Sequence, residues 1–337
     1  MGEEKKKIWA GLDVSKAAFF AAVDNATRFT HVSKLPAKSF PRTPVGAGAF
    51  LKWALEKIGP DCSLAVIMET TGCYSKELAL WLYEKQSDLP ITIQNGRMIS
   101  DFIKSLNLNK TDKSDAQAIA RFGSDRNPKP TKREDAKVVT LREMTRERYA
   151  LIEARTALES RRDSLQSPLA RKFNGRAVAS LTLQIKALDK EIRKLVESDK
   201  EMAHEVKLMS SVPGVAFTSA TILIAEYGSL KQYTSRELSQ ISGLAPRLLH
   251  SGTSIKKSYL GRRGSKRGRQ ILYLDSITAV QKIPSLKDLY DRIVERGNCS
   301  MTARCACMRK LLLIMRAIVA HDIPFDNKIL EFSRKRA

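Results

Sequence analysis

From residue 134 to about residue 209 the chain is almost without proline or glycine, apart from Ser167-Pro168 and Asn174-Gly175. A stretch this long without turn residues predicts two long helices joined by a turn at those breaks. The second helix carries a seam at Val178, Leu181, Ile185, Leu188, Ile192, Leu195, Asp199, Met202, Val206 and Met209, spaced alternately three and four apart, with Asp199 the only polar member. That is a heptad pattern held over about four repeats, the signature of an α-helical coiled coil. The seam needs a partner but does not name it. Either the first helix of the same chain or a second copy would serve.

Upstream the pattern is different. Strand-like runs at Ile8–Val14, Ala17–Val23 and Phe29–Leu35 precede a helix over Gly46–Ile58, a strand over Ser63–Met68, a helix over Ser75–Lys85 and a short strand over Ile91–Ile93. Helices follow near Met98–Leu106 and Asp112–Phe122. Three strands and then alternation predict a mixed sheet covered by helices, an α/β domain over residues 1–125. The order matches the ribonuclease H type of fold, as it does other α/β domains. Asn127-Pro128-Lys129-Pro130-Thr131-Lys132 reads as a linker, so residues 126–209 form a linker and coiled coil. Residues 210–337 form an α-helical domain that opens on Ser211-Val212-Pro213-Gly214-Val215, a turn resembling a helix-hairpin-helix element.

Composition narrows the class of partner. Lys and Arg number 59 against 36 Asp and Glu, a net charge of +23. The excess is uneven: residues 1–125 hold 17 basic and 14 acidic side chains, and the remainder holds 42 and 22. A polyanion is the expected partner, and without an amphipathic helix bearing a Trp/Phe-rich face, nucleic acid fits better than a membrane surface. The charged start MGEEKKK lacks the apolar core of a signal peptide, and no apolar run reaches about 18 residues, so a cytoplasmic, nucleoid-associated protein is expected. Five cysteines without a C-x-x-C pair read as reduced thiols.

Four acids stand out by position. Asp13 ends the first apolar strand and Glu69 ends another, directly after Ala65-Val66-Ile67-Met68. Charges at buried strand ends are costly unless paired or bound to metal. Asp112 and Asp115 lie three apart at a helix start and so share one face. Each has an ordinary alternative: Asp112 behind Thr111 could be an N-cap, and an acid after a strand could be a solvated loop residue. As a set of carboxylates with little Cys or His, they suit Mg2+ or Mn2+ and phosphodiester chemistry.

These motifs, GLDVSK, METTGCY and KTDKSDAQAIA, resemble those of the DEDD transposases of bacterial insertion sequences. That group is related to the Piv DNA invertases and known for bridge-RNA-guided recombination. The resemblance implies a ribonuclease H-like domain whose catalytic, metal-binding acids are Asp13, Glu69, Asp112 and Asp115. Where relatives usually have Asn-Pro, this chain has Asn95-Gly96, a change expected to alter a turn more than the chemistry.

A second block follows in order: Gly243-Leu244-Ala245-Pro246-Arg247, then Ser251-Gly252, then a basic loop from Lys256 to Arg269 with seven basic residues and no acid. Glycines would let its backbone lie against phosphates that the cations neutralise. By itself Ser251-Gly252 says little. In the resembling family the pair carries the nucleophilic serine, which falls on Ser251 and joins the acids in a composite site. Arg247, Lys256, Lys257, Arg262, Arg263, Lys266, Arg267 and Arg269 are the expected nucleic-acid contacts. His250 would point away from Ser251 in an extended segment and takes no role, and Leu272-Tyr273 departs from a Leu-Arg common in relatives.

The resemblance runs from about residue 8 to 325 and implies double-stranded donor and target DNA, a structured noncoding guide RNA and a homo-oligomer, dimer or tetramer. The rivals are a ribonuclease H-type nuclease or junction resolvase that uses water, a site-specific invertase, and a nucleic-acid-binding scaffold with no chemistry.

Overall fold

The computed structural model describes residues 5–25, 30–106, 109, 111–251, 255–260 and 264–327, with 247–251 and 255–260 described by backbone alone. They form two compact units that divide in sequence between Arg133 and Glu134.

The first unit runs β1 (Lys6–Val14), β2 (Ala18–Val23), β3 (Ala37–Pro41), α1 (Pro44–Ile58), β4 (Cys62–Glu69), α2 (Cys73–Lys85), β5 (Ile91–Gln94), α3 (Gly96–Ser105) and α4 (Asp112–Arg126). Its sheet has the order β3-β2-β1-β4-β5. The pairs β1–β2 and β2–β3 are antiparallel, and β1–β4 and β4–β5 are parallel. The third strand is not Phe29–Leu35. Phe29 lies outside the described residues, and Val32–Lys34 forms a 3-10 turn whose start is held by the His31 side chain accepting from Ser33 N. Pairing resumes where Pro36 O accepts from Val23 N, and the strand ends on Pro41. Prolines are tolerated there because β3 is an edge strand.

Alternation along β1 divides its side chains between two layers. Ile8, Ala10, Leu12 and Val14 pack with Phe50 and Ala54 of α1 and with Leu78 and Leu82 of α2. Trp9 faces the other way, with Ala65 and Ile67 of β4, Ile99 of α3, and Ile119 and Phe122 of α4. On that second face Arg121 of α4 reaches Asp24 just past β2. Its Nε donates to Oδ2 at 2.8 Å, and its other end donates to Thr30 O at 3.1 Å. Both side chains are buried. The stretch expected to be a linker is part of this unit instead. Asn127 caps α4 in the left-handed conformation (φ 37°), then Thr131 N donates to Ile91 O and Ile93 N donates to Thr131 Oγ1, so the segment lies along β5.

The second unit runs α5 (Ala136–Arg162), α6 (Pro168–Glu197), α7 (Lys200–Ser210), α8 (Phe217–Tyr227), α9 (Ser235–Ile241), β6 (Pro246–Ser251), β7 (Ile255–Leu260), α10 (Lys266–Lys282), α11 (Pro284–Glu295) and α12 (Ser300–His321). The long helices α5 and α6 pair with each other as an antiparallel hairpin. Arg148 pairs with Asp189, Lys137 with Asp199, and the buried Asn174 amide donates to Leu158 O. The turn is Asp163–Ser167, where Ser167 caps α6 and Pro168 occupies its first turn. Asn174-Gly175 does not break the helix as expected; the amide's bond across the hairpin holds that position within α6. The seam, by contrast, is interrupted at its one polar member. Asp199 is the N-cap of α7, accepting from Met202 N at 3.1 Å. That N–H, followed by the Lys137 ammonium, holds its carboxyl below the usual carboxylate range. One polar residue thus divides the predicted second helix into α6 and α7.

Helix α8 is mostly apolar and sits among α5, α7 and α10 in the main core of this unit. The Pro213-Gly214 turn before it is packed against α10. Gly214 has φ +95°, and a side chain there would come within 2.8 Å of Asp275 O and 2.9 Å of Ala279 N. The all-helical expectation for this half is corrected by the β6–β7 hairpin.

Asp275 itself is buried, accepts from Ser219 Oγ at 2.7 Å, and has a second oxygen with no hydrogen-bond partner. Burial pushes its carboxyl up to about 7, against the opposing hydrogen bond from Ser219. An unfolded Asp ionises near 3.9, so between about pH 4 and pH 7 the folded chain holds the extra proton. Stability therefore falls as pH rises through that window and levels off above it. Asp275→Asn is expected to remove this slope, leaving pH 4 stability unchanged and raising pH 8 stability by on the order of 2 kcal/mol in urea unfolding.

Candidate active site

The alternation of β1 carries Trp9, Gly11 and Asp13 onto one face, and α4 covers that face running opposite to β1. Gly123 of α4 lies over Trp9, and Ala116, Ile119 and Ala120 lie over Gly11. A side chain at Gly11 would come to 2.5 Å from Ala116 O and 2.7 Å from the Ile119 carbonyl carbon, so glycine is what allows the helix to rest on the strand. One further turn toward the N-terminus of α4 brings Asp112 and Asp115 to the Asp13 end. On β4, Ala65, Ile67 and Glu69 share the same face, and the register Leu12↔Met68 makes Asp13 and Glu69 successors on neighbouring parallel strands. All four predicted acids therefore lie on one face at one end of the sheet.

The ordinary alternative for Asp112 is also answered. Thr111, not Asp112, is the N-cap: its hydroxyl accepts from Ser114 N at 3.1 Å, and the Ser114 hydroxyl in turn accepts from Thr111 N at 2.9 Å. Asp112 and Asp115 are thus in the first turn of α4 without capping it. Asp112 is exposed, Asp13, Glu69 and Asp115 are half-buried, and one Asp115 oxygen is fully buried. Carboxylates near a helix N-terminus are favoured by its dipole, which helps tolerate several of one sign.

A hard divalent cation fits this donor set in kind, because every donor is a carboxylate oxygen. Among the described residues, however, no three His, Cys, Asp or Glu side chains stand at ligand spacing. A bound cation would have to draw the acids together. Beside Glu69 is Gly96, the first residue of α3, where any side chain would fall on the Glu69 carboxylate. Sequence reasoning missed Gly11 and read Gly96 only as a change of turn, whereas it is the first residue of α3. Gly11 was open to reading, since a glycine inside an apolar strand marks a close backbone approach.

In the second unit, Ser251 is the last residue of β6, paired with Ile255 across the hairpin. Lys256 and Lys257 are on β7, opposite His250 and Leu249, and Arg247 pairs with Tyr259. Arg262 and Arg263 lie outside the described residues. The expected basic loop is therefore, among its described residues, mostly a strand and the start of α10, and Gly264 and Gly268 serve packing. A side chain at Gly268 would strike the Tyr227 ring, and Gly264 (φ +97°) lies against the Ser242 backbone. Lys266 is exposed. Arg267 donates to Thr145 O (3.0 Å) and Arg146 O (3.2 Å) and stacks on Tyr149, while Arg269 donates to Ser242 O. Two of the eight expected nucleic-acid cations thus tie α10 to its neighbours. Lys266 and Arg267 also line a cleft of about 370 Å³ with Arg146, Tyr149, Glu226 and Gln270. Burial would raise the Glu226 carboxyl, but hydrogen bonds from Arg146 and Ser265 prevail and hold it below its ordinary value.

No helix among the described residues is long and apolar enough to cross a membrane. Acids gathered at a sheet end together with a basic unit suit an enzyme that acts on nucleic-acid phosphates, and the comparisons narrow the class to DNA recombinases. Residues 10–167 match a transposase model of the IS110 DEDD type, and residues 206–291 match the transposase IS116/IS110/IS902 family. The chain belongs to the IS110 family of transposases, DNA recombinases of insertion sequences. It is 28% identical to the pilin gene-inverting protein of Moraxella bovis over 96% of this chain and 99% of that one, with the same figures for its counterpart in Moraxella lacunata. It is also 26% identical, over 43% of this chain and 35% of the other, to an IS110 insertion element protein of Streptomyces coelicolor.

Proposed function

We propose that this recombinase cuts and rejoins double-stranded DNA with Ser251 as nucleophile and with Asp13, Glu69, Asp112 and Asp115 holding a divalent cation, Mg2+ or Mn2+. The observation that carries this reading is the gathering of all four acids on one face at one end of the sheet, with Thr111 and Ser114 doing the capping that would otherwise explain Asp112. The strand order, two antiparallel pairs followed by two parallel ones, supports a ribonuclease H-like first unit. When bound, the cation would act as a Lewis acid on the scissile phosphate. The Ser251 oxygen forms a bond to phosphorus, a deoxyribose oxygen leaves carrying the serine's proton, and rejoining reverses the exchange.

The +20 carried by residues 126–337 supports a large polyanionic partner. We read those partners as donor and target DNA and a structured noncoding guide RNA, bound by a homo-oligomer, dimer or tetramer. Arg247, Lys256, Lys257, Arg262, Arg263 and Lys266 are the proposed phosphate contacts. Arg267 and Arg269 were expected among them, and their carbonyl bonds favour a scaffolding role. Sequencing the RNA that co-purifies with the protein tests the guide, and finding no discrete RNA would remove it.

A second reading is favoured by the near full-length match to a pilin gene-inverting protein. In it the same chemistry inverts a segment between two sites instead of excising and inserting an element. Either way the acids act on phosphate. With Mg2+ and a cognate duplex, Asp13→Asn or Asp115→Asn should lower strand cleavage by about a thousandfold or more while leaving DNA binding within a few-fold. Cleavage at the unaltered rate in both variants would overturn the assignment.

A further inference from the structure

The turn between β1 and β2 is held by one arginine. Asp13 and Val14 pair with Phe20 and Phe19, Ser15 N donates to Ala18 O at 3.0 Å, and Lys16 and Ala17 form the exposed tip. Arg42, just past β3, donates its backbone N–H to Ala17 O and its Nε–H to Lys16 O, each at 2.9 Å. Its guanidinium is braced by α2, where Tyr74, Glu77 and Trp81 follow at helical spacing and so share one face. Glu77 is its ion-pair partner, and the Tyr74 and Trp81 ring centres lie 4.6 and 5.8 Å away. Only 12% of the Arg42 side chain is exposed, so the arginine holds the turn and offers little of itself to a ligand.

What the turn carries is Lys16. Its side chain is exposed and has no hydrogen-bond or ion-pair partner among the described residues, although it lies three residues past Asp13, a stretch of chain that spans at most about 11 Å. Four carboxylates gathered at that end repel a phosphodiester, and residues 1–125, with 17 basic and 14 acidic side chains, supply little general attraction to offset them. A cation fixed beside the acids meets that need. We propose that Lys16 contacts a backbone phosphate of the DNA drawn to the acid end of the sheet, and that Arg42 is its positioning residue, holding the turn from which the lysine reaches. This rests on the reading that the four acids act on DNA there.

The test is strand cleavage of an end-labelled cognate duplex by the full chain with Mg2+, followed against DNA concentration at several KCl concentrations. Lys16→Gln should raise the half-saturating DNA concentration by about tenfold and lower the slope of its log–log salt dependence by about one, with the rate at saturating DNA within a few-fold of wild type. Lys57→Gln, an exposed lysine in the last turn of α1, should change neither. Arg42→Gln should reproduce the Lys16→Gln shift and add nothing to it in the combined variant, because its effect passes through the lysine. Should Arg42→Gln not fold, Arg42→Lys, which keeps the charge and loses the planar fork, takes its place with the same expectation. Wild-type values in Lys16→Gln, or an equal shift in Lys57→Gln, overturn the proposal while leaving the acids their role. Wild-type values in the Arg42 variant, or a second unit of slope lost in the combined one, overturn the positioning role. Full-rate cleavage by Asp13→Asn overturns the reading of the acids, and this proposal with it.

Discussion

Gly11→Ala is expected to destabilise the first unit by about 3 kcal/mol or more and to abolish strand cleavage, although position 11 bears no functional group. The added methyl group would meet the backbone of α4 at Ala116, Ile119 and Ala120, and backbone atoms cannot rotate aside as a side-chain tip can. The helix must lift or the strand must bend. Lifting α4 carries Asp112 and Asp115 away from Asp13, so stability and chemistry fall together. Urea unfolding should show a lower midpoint with an unchanged slope. Gly48→Ala, on a more open part of α1, should be neutral or slightly stabilising. A Gly11→Ala protein with the wild-type midpoint would mean that α4 does not rest on β1 as described.

Asp24→Ala is expected to destabilise the same unit by about 3–5 kcal/mol, because it takes away the carboxylate that the buried Arg121 guanidinium is paired with. Asp24 and Arg121 are 6% and 7% exposed, so water cannot take over the lost contact. The pair is not expected to be worth that much in itself. Replacing both partners, Asp24→Leu with Arg121→Met, should recover most of the loss, since neither charge is then buried without the other. Midpoints of urea unfolding for the two single variants and the double variant decide the matter. Single variants within about 1 kcal/mol of wild type would place the pair in contact with solvent.

Asp24 also illustrates what the sequence could and could not disclose. By position it looks much like Asp13, an acid at the end of an apolar strand, yet it is an ion-pair partner at the far end of β2 from Asp13. Its partner, Arg121, is 97 residues away. Only the packing of α4 across the sheet joins them, and a pattern read along one chain does not report such pairings. Position alone offered two strand ends and two helix residues three apart, which does not separate Asp13 from Asp24; it was the resemblance carried by GLDVSK, METTGCY and KTDKSDAQAIA that singled out the four acids as a set. The shift of the third strand to Ala37–Pro41 was not legible, because its prolines argue against a strand until it is seen to be an edge. The division at Asp199 was visible as a polar seam member, but its use as a helix cap depends on the N–H of Met202 and on Lys137 from the facing helix. In the second unit, the charge of the Lys256–Arg269 stretch was plain, whereas its division into β7 and the first turn of α10 was hidden by Gly264 and Gly268, which serve close packing.

The central claim is that a serine, activated in company with the acid cluster, carries the DNA during recombination. It is tested most directly by incubating the protein with end-labelled cognate duplex and Mg2+, denaturing it, and mapping any protein–DNA adduct by mass spectrometry. The prediction is a phosphodiester on Ser251, absent in Ser251→Ala and in Asp115→Asn and retained in Ser254→Ala. Metal-dependent cleavage that continues at full rate in Ser251→Ala, with no adduct in the wild type, would contradict it and assign the attack to water.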